Sequence, residues 1–215
     1  MTRTILCFGD SNTHGTKPMP SISATGRHGA EARWPAVMGR ALGAGFEVIA
    51  EGHPGRTTVH DDPVEGKNRN GTRVLAALLE SHLPIDLVIL KLGTNDLKYR
   101  FHLNANDISF GVGVLIDIIR ASKTGPGGAA PEVMIIAPPP IIEVGDLGRI
   151  FEGGTATSHD LPAAFARVAQ RFNVPWLDAG RLISVSPVDG VHYEAEAQVV
   201  LGNAMAGEVR KHFGA

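Results

Sequence analysis

The sequence has a single cysteine, no long apolar run and no surplus of charge of either sign. Cys7 sits inside the apolar run Ile5-Leu6-Cys7-Phe8, so no internal disulfide framework is available and the thiol reads as a small buried residue. Lys and Arg number 20 against 22 Asp and Glu, a net charge of -2, without a basic stripe or an acidic tail. Nucleic acid and membrane surfaces are therefore not expected partners. No stretch approaches the length of a membrane span, and only four apolar residues follow Met1-Thr2-Arg3-Thr4, too few for a signal-peptide core, so the expected setting is the cytoplasm. The nine histidines lack metal-ligand spacing, and the phosphate-cradling glycine loops are absent, as is an Asp-x-Asp pair at position 10. No metal or cofactor is expected.

What the chain does contain is 43% hydrophobic residues over 215 positions, enough for one large domain spanning 1–215. Apolar runs at Thr4–Phe8, Phe46–Ala50, Ile85–Leu92, Glu132–Ala137 and Val174–Leu177 read as buried strands. Between them, helical spacing appears over Trp34–Leu42, Thr72–His82, Asn106–Ala121, Leu161–Phe172 and Glu194–Phe213. Such alternation predicts an α/β fold: a five-stranded, mostly parallel sheet in a three-layer α/β/α, flavodoxin-like arrangement. Thr16–Ala32, rich in Pro, Ser, Gly and Ala, reads as a surface loop or lid margin, and the Gly-containing stretch Ile141–His159 as an apolar loop suited to a pocket wall or a subunit contact.

Three strands run directly into small polar loops: Gly9-Asp10-Ser11-Asn12-Thr13-His14-Gly15, Glu51-Gly52-His53-Pro54-Gly55-Arg56-Thr57-Thr58 and Gly93-Thr94-Asn95-Asp96. In a parallel sheet these loops share the carboxyl edge, where ligands bind. Taken alone, a loop serine such as Ser11 is far more often a turn former or a helix cap than a nucleophile, and its sheet-edge position with three partner loops reverses that. A serine hydroxyl becomes nucleophilic when a base lies within hydrogen-bond reach and a third group holds the base. The late loop Asp189-Gly190-Val191-His192 has both, with a spacing that lets the carboxylate fold back onto the imidazole. The backbone N–H of Ser11, that of Gly55 and the side-chain amide of Asn95 are suitable donors for an oxyanion.

These four blocks, in this order, resemble the SGNH (GDSL-type) hydrolases over nearly the whole chain. The closest resemblance is to the bacterial arylesterase and acyltransferase branch, through Arg3–Ser11, Arg56-Thr57-Thr58, Leu87–Asp96 and Ile150-Phe151-Glu152-Gly153-Gly154. The resemblance implies Ser11 as nucleophile, His192 as general base, Asp189 as its orienting acid and Ser11, Gly55 and Asn95 as the oxyanion hole. It also implies a homo-oligomer acting on small-molecule esters, with water, alcohols or peroxide accepting the acyl group. The turn departs from close relatives at His14, where they often carry tryptophan, which points to a more polar pocket wall.

The remaining expectations are local. His14, His53, Pro54, Ile141, Ile150 and Phe151 are candidate pocket residues. Asp10 reads as a brace for the serine turn, Asn12 and Thr13 as caps of the helix start, and Asp96 as a tie for the Asn95 loop or a plain turn residue. The other histidines read as surface or loop-bracing residues, and His60-Asp61-Asp62 is disfavoured as a metal site because neighbouring side chains diverge. The leading function class is an esterase hydrolysing short-chain acyl or aryl esters through an acyl-serine, with activity falling on the acid side as His192 protonates. Alternatives are a deacetylase of acetylated sugars and, in another class, a flavodoxin-like ligand-binding domain.

Overall fold

The computed structural model describes residues 2–214. Five strands form one parallel sheet in the order β2-β1-β3-β4-β5, with β1 Arg3–Gly9, β2 Phe46–Gly52, β3 Leu87–Lys91, β4 Glu132–Ala137 and β5 Trp176–Asp178. Alternation along β1 divides the core. Ile5 and Cys7 face a layer containing Trp34, Met38, Leu201 and Met205, whereas Leu6 and Phe8 face one built on Leu75, Leu115, Ile116 and Phe165. The first layer is formed by α2 (Trp34–Leu42) and α7 (Ala195–Phe213), the second by α3 (Gly71–Ser81), α4 (Ala105–Ala121) and α6 (Gly154–Phe172). The three-layer, flavodoxin-like expectation is met. Cys7 is fully buried and its thiol is pushed above its ordinary range by that burial. Among the described residues, no helix is long and apolar enough to cross a membrane.

The register aligns the strand ends that matter. Gly9 pairs with Gly52 on one side and with Lys91 on the other, so the loops after β1, β2 and β3 leave the sheet side by side. A short helix α1 (Ser11–His14) then lies against the end of β2, and a Cβ on Gly52 would sit 2.1 Å from the His14 nitrogen. Such approach leaves room for glycine alone at that position.

One stretch departs from expectation. Residues 141–159 are largely helical: α5 spans Gly145–Ile150, and α6 begins at Gly154, seven residues before the predicted start at Leu161. Pro162, which lacks the N–H that an interior helix position donates, lies inside α6. Two of the glycines that suggest a loop, Gly148 and Gly154, are packing positions, whereas Gly153 is the left-handed residue between the two helices. A Cβ on Gly148 would lie 2.8 Å from the Glu143 carbonyl carbon, and one on Gly154 2.9 Å from Ile141 Cδ1.

Candidate active site

Ser11 opens α1, and the capping residue is Asp10, whose Oδ1 accepts from the Asn12 N–H at 2.9 Å. Beneath it, the fully buried Lys91 at the end of β3 places Nζ 3.2 Å from Asp10 Oδ1 and 3.4 Å from Oδ2. Burial opposes the Lys91 charge, but the Asp10 carboxylate and the Tyr193 hydroxyl together outweigh it and raise the ammonium above its ordinary value. Lys91 Nζ also lies 5.0 Å from the centre of the buried Tyr193 ring, whose phenol burial pushes up to about 12. The brace role of Asp10 is thus present, but the capping expected of Asn12 is not. The Asn12 side chain instead spans to the far end of the chain, donating from Nδ2 to the Val191 carbonyl and accepting at Oδ1 from the Tyr193 N–H, both at 3.1 Å.

That span brings in the late loop. His192 Nε2 lies 3.0 Å from Ser11 Oγ, and His192 Nδ1 lies 2.6 Å from Asp189 Oδ2. Asp189 Oδ1 accepts the backbone N–H groups of Val191 and His192 at 3.0 and 2.9 Å, which folds the carboxylate back onto the ring. Gly190 makes the fold possible. Its φ is +72°, and a Cβ there would lie 1.8 Å from the Ile142 carbonyl oxygen. Burial pushes the Asp189 carboxyl up, but the hydrogen bonds and charge of His192 with the two backbone donors hold it below the usual carboxylate range.

The other two loops meet at Arg56. Its carbonyl accepts from Asn95 Nδ2 at 3.1 Å, leaving the second amide hydrogen of Asn95 free. The buried Arg56 guanidinium donates to the Gly9 and Glu51 carbonyls and lies 4.1 Å over the Phe8 ring. Burial pulls it down to about 10 against the charges of Glu51 and Asp10. Gly55, with φ +78°, lies directly under the Glu65 carboxylate, where a Cβ would come within 2.3 Å of Oε2.

Ser11, Gly55, Asn95 and His192 share one cavity of about 220 Å³. Of the candidate pocket residues, Pro54, Ile150 and Phe151 also line it. His14, His53 and Ile141 do not. His14 turns its Nδ1 toward Thr16 Oγ1 at 3.2 Å, His53 meets the Arg69 guanidinium, and Ile141 is buried in the core behind α6. Burial, with cations nearby, lowers both histidines: Arg27 and Arg33 act on His14, Arg69 and Arg56 on His53. His60 stacks on Phe101, Asp61 pairs with Arg73, and Asp62 meets Lys98 and Arg100, so the three consecutive side chains take separate partners.

Sequence reasoning missed Met19 and Ile22 of the loop after α1 and the ionic wall of Glu65 and Lys98, all of which line the cavity, whereas Leu147 of α5 lines it as a member of the apolar stretch Ile141–His159 that was expected to wall a pocket. Lys98 is 3% exposed and donates to Asp62 Oδ2 at 3.2 Å and Glu65 Oε1 at 2.5 Å. The signal available for the loop was Met19 between two prolines, an apolar side chain on a stiffened segment.

The structure thus sets a serine-bearing turn at the carboxyl edge of a parallel sheet opposite an imidazole that a carboxylate holds. The comparisons make this specific: residues 7–198 match the model of the GDSL-like lipase/acylhydrolase family. The chain belongs to that family of carboxylic ester hydrolases. It superimposes on an aryl esterase of M. smegmatis with a TM-score of 0.93 at 40% identity, covering 98% of this chain and 99% of that one. A carbohydrate acetylesterase from Sinorhizobium meliloti gives a TM-score of 0.94 at 39% identity over 99% and 100% of the two chains. Comparison with curated proteins gave no match.

Proposed function

We propose that the protein hydrolyses short-chain acyl or aryl esters through an acyl-serine, with Ser11 as nucleophile, His192 as general base and Asp189 as the residue that orients it. The observation that carries this reading is the unbroken relay Ser11 Oγ, His192 Nε2 at 3.0 Å, His192 Nδ1, Asp189 Oδ2 at 2.6 Å. Ser11 Oγ attacks the ester carbonyl and passes its proton to His192 Nε2, while Asp189 accepts from Nδ1–H and stabilises the imidazolium. The oxyanion takes hydrogen bonds from the Ser11 and Gly55 N–H groups and from the free hydrogen of Asn95 Nδ2. Collapse releases the alcohol with the proton from His192, and water, or an alcohol or peroxide, then attacks the acyl-serine by the reverse route. The cavity volume of about 220 Å³, walled by Met19, Ile22, Leu147, Ile150 and Phe151, suits small acyl groups.

A sugar-acetate substrate is the second reading, favoured by the Glu65 and Lys98 side chains on the opposite wall and by the acetylesterase likeness. Hydrolysis of p-nitrophenyl acetate set beside acetylated saccharides separates the two. Loss of activity in Ser11→Ala, phenylmethanesulfonyl labelling at Ser11 and an acid limb from His192 protonation are the expected results; Ser11→Ala hydrolysing as fast as the wild type rejects the scheme. We also infer one hydrolase domain acting as a homo-oligomer in the cytoplasm. The buried lone thiol supports a reducing setting, and the part-exposed Ile142 beside α5 supports a subunit contact; light scattering that finds a 22.7 kDa monomer removes the latter.

A further inference from the structure

The loop between α1 and α2 does more than border the cavity. Its base is closed by an antiparallel bridge between Thr16 and Arg27, with the Lys17 N–H on the Gly26 carbonyl at 3.1 Å and the His28 N–H on the Gly15 carbonyl at 2.7 Å. Its tip is tied to α5, where the Ile22 N–H donates to Asp146 Oδ2 at 2.9 Å. Between these anchors runs Pro18-Met19-Pro20, a segment whose two prolines lack an N–H and restrict the residue before each to extended backbone. The one N–H left in that tripeptide, on Met19, donates to Asp189 Oδ2 at 2.7 Å, onto the same oxygen that meets His192 Nδ1. The Met19 side chain lines the cavity.

We infer that Met19 is a positioning residue for the reaction: its backbone N–H holds the Asp189 carboxylate in register with His192, so the loop that walls the substrate cavity also sets the acid/base pair. This rests on the triad reading above. Asp189 Oδ1 is already fixed by two N–H groups of its own turn, so the Met19 N–H is the donor from outside that turn that fixes Oδ2. A donor on a carboxylate draws off part of its charge, and its removal strengthens the hold of Asp189 on a protonated His192. The acid limb then moves to higher pH. The other charged groups about the pair are Glu65 and Lys98 on the cavity wall, and Asp10 with Lys91 under the Ser11 turn; none is altered in the test.

The test deletes the N–H, and Met19→Leu separates that loss from the change of side chain. Replacing Met19 by the α-hydroxy acid of leucine through nonsense suppression exchanges N–H for an ester oxygen, and Met19→Pro deletes the same donor genetically. With p-nitrophenyl acetate, both are expected to lower kcat about tenfold and to move the acid limb of kcat upward, and the leucine hydroxy-acid protein, which keeps an apolar side chain on the cavity wall, to leave KM within about twofold. Met19→Leu, which keeps the N–H, is expected to leave the acid limb in place. A rise in KM with kcat and the acid limb unchanged in both N–H-deleted proteins overturns the inference and makes the loop a binding wall only. Asp189→Asn is run alongside: if it retains wild-type kcat, the triad reading itself falls, whereas a crippled Asp189→Asn with unaffected N–H-deleted proteins rejects the role of Met19 alone.

Discussion

Asp96 and Thr58 bolt two of the site loops together: both Asp96 carboxylate oxygens lie within hydrogen-bond reach of the Thr58 N–H, at 3.0 and 3.1 Å, and Oδ1 also accepts the Thr58 hydroxyl at 2.5 Å. Burial raises the Asp96 carboxyl, and the Thr58 donors oppose that rise. The bond joins the loop of Gly55 to the loop of Asn95 from behind, so Asp96 is a tie and not a plain turn residue. Its strength reaches α4, because a Cβ on Gly111 would lie 2.3 Å from Thr58 Oγ1 and 2.9 Å from its Cβ.

Gly111→Ala is therefore expected to reverse the ordinary helix effect. In an open helix the change stabilises by about 1 kcal/mol. Here overpacking against Thr58 is expected to destabilise by about 1–3 kcal/mol, read from urea unfolding, and to lower kcat by displacing the Thr58–Asp96 tie. Unchanged stability and activity would show that α4 can shift to absorb the methyl.

Asn95→Ala is expected to reduce kcat by about a hundredfold to a thousandfold with little change in KM, since the lost amide acts where charge develops. The measurement is steady-state hydrolysis of p-nitrophenyl acetate, and a change confined to KM would remove Asn95 from the oxyanion hole.

Lys91→Met leaves the Asp10 carboxylate buried without its cation and is expected to cost about 3–5 kcal/mol in urea unfolding. Adding Asp10→Asn, which keeps a capping side chain for α1, is expected to restore most of that loss. A double variant no more stable than Lys91→Met would assign the effect to packing and not to charge.

Acid stability is expected to hinge on Asp62. Its carboxylate is buried, and although burial opposes ionisation, the N–H groups of Glu65 and Val64, the hydrogen bond of Arg100 and the charge of Lys98 depress its pKa far below the usual range. A depressed carboxyl adds stability that is present above the unfolded value of about 3.9 and lost as pH falls through the folded value. The urea midpoint of the wild type is expected to fall below about pH 4, and Asp62→Asn to be less stable at neutral pH with a flatter acid profile. Parallel acid profiles for the two would contradict this.

The strands were legible because they read as short apolar runs, four of them closed by a Gly or Pro within two residues, although β2 and β5 at the two sheet edges hold no fully buried residue, contrary to the expectation of five buried strands. The four loops were legible because their chemistry is local: a serine after β1, an Asp and a His three apart, an amide after β3. What escaped was set by partners distant in sequence. Lys91 looks like an interruption of an apolar strand until Asp10 is placed beneath the turn. Asn12 looks like a cap until residues 191–193 come alongside. The helices over 145–160 hide behind Gly148 and Gly154, which are there for close packing, and the Met19 side chain signals only a cavity wall, because the group that reaches Asp189 is its backbone N–H.

The separation of Ser11 from His192 by 181 positions has a consequence for folding. Ser11 directly follows β1, while His192 comes after β5 and just ahead of α7. Contacts so remote in sequence form late in folding. A chain cut before Asp189 can thus hold all five strands and still lack the Ser11–His192 contact, and the return of activity on refolding reports the docking of the loop ahead of α7, not the formation of the sheet.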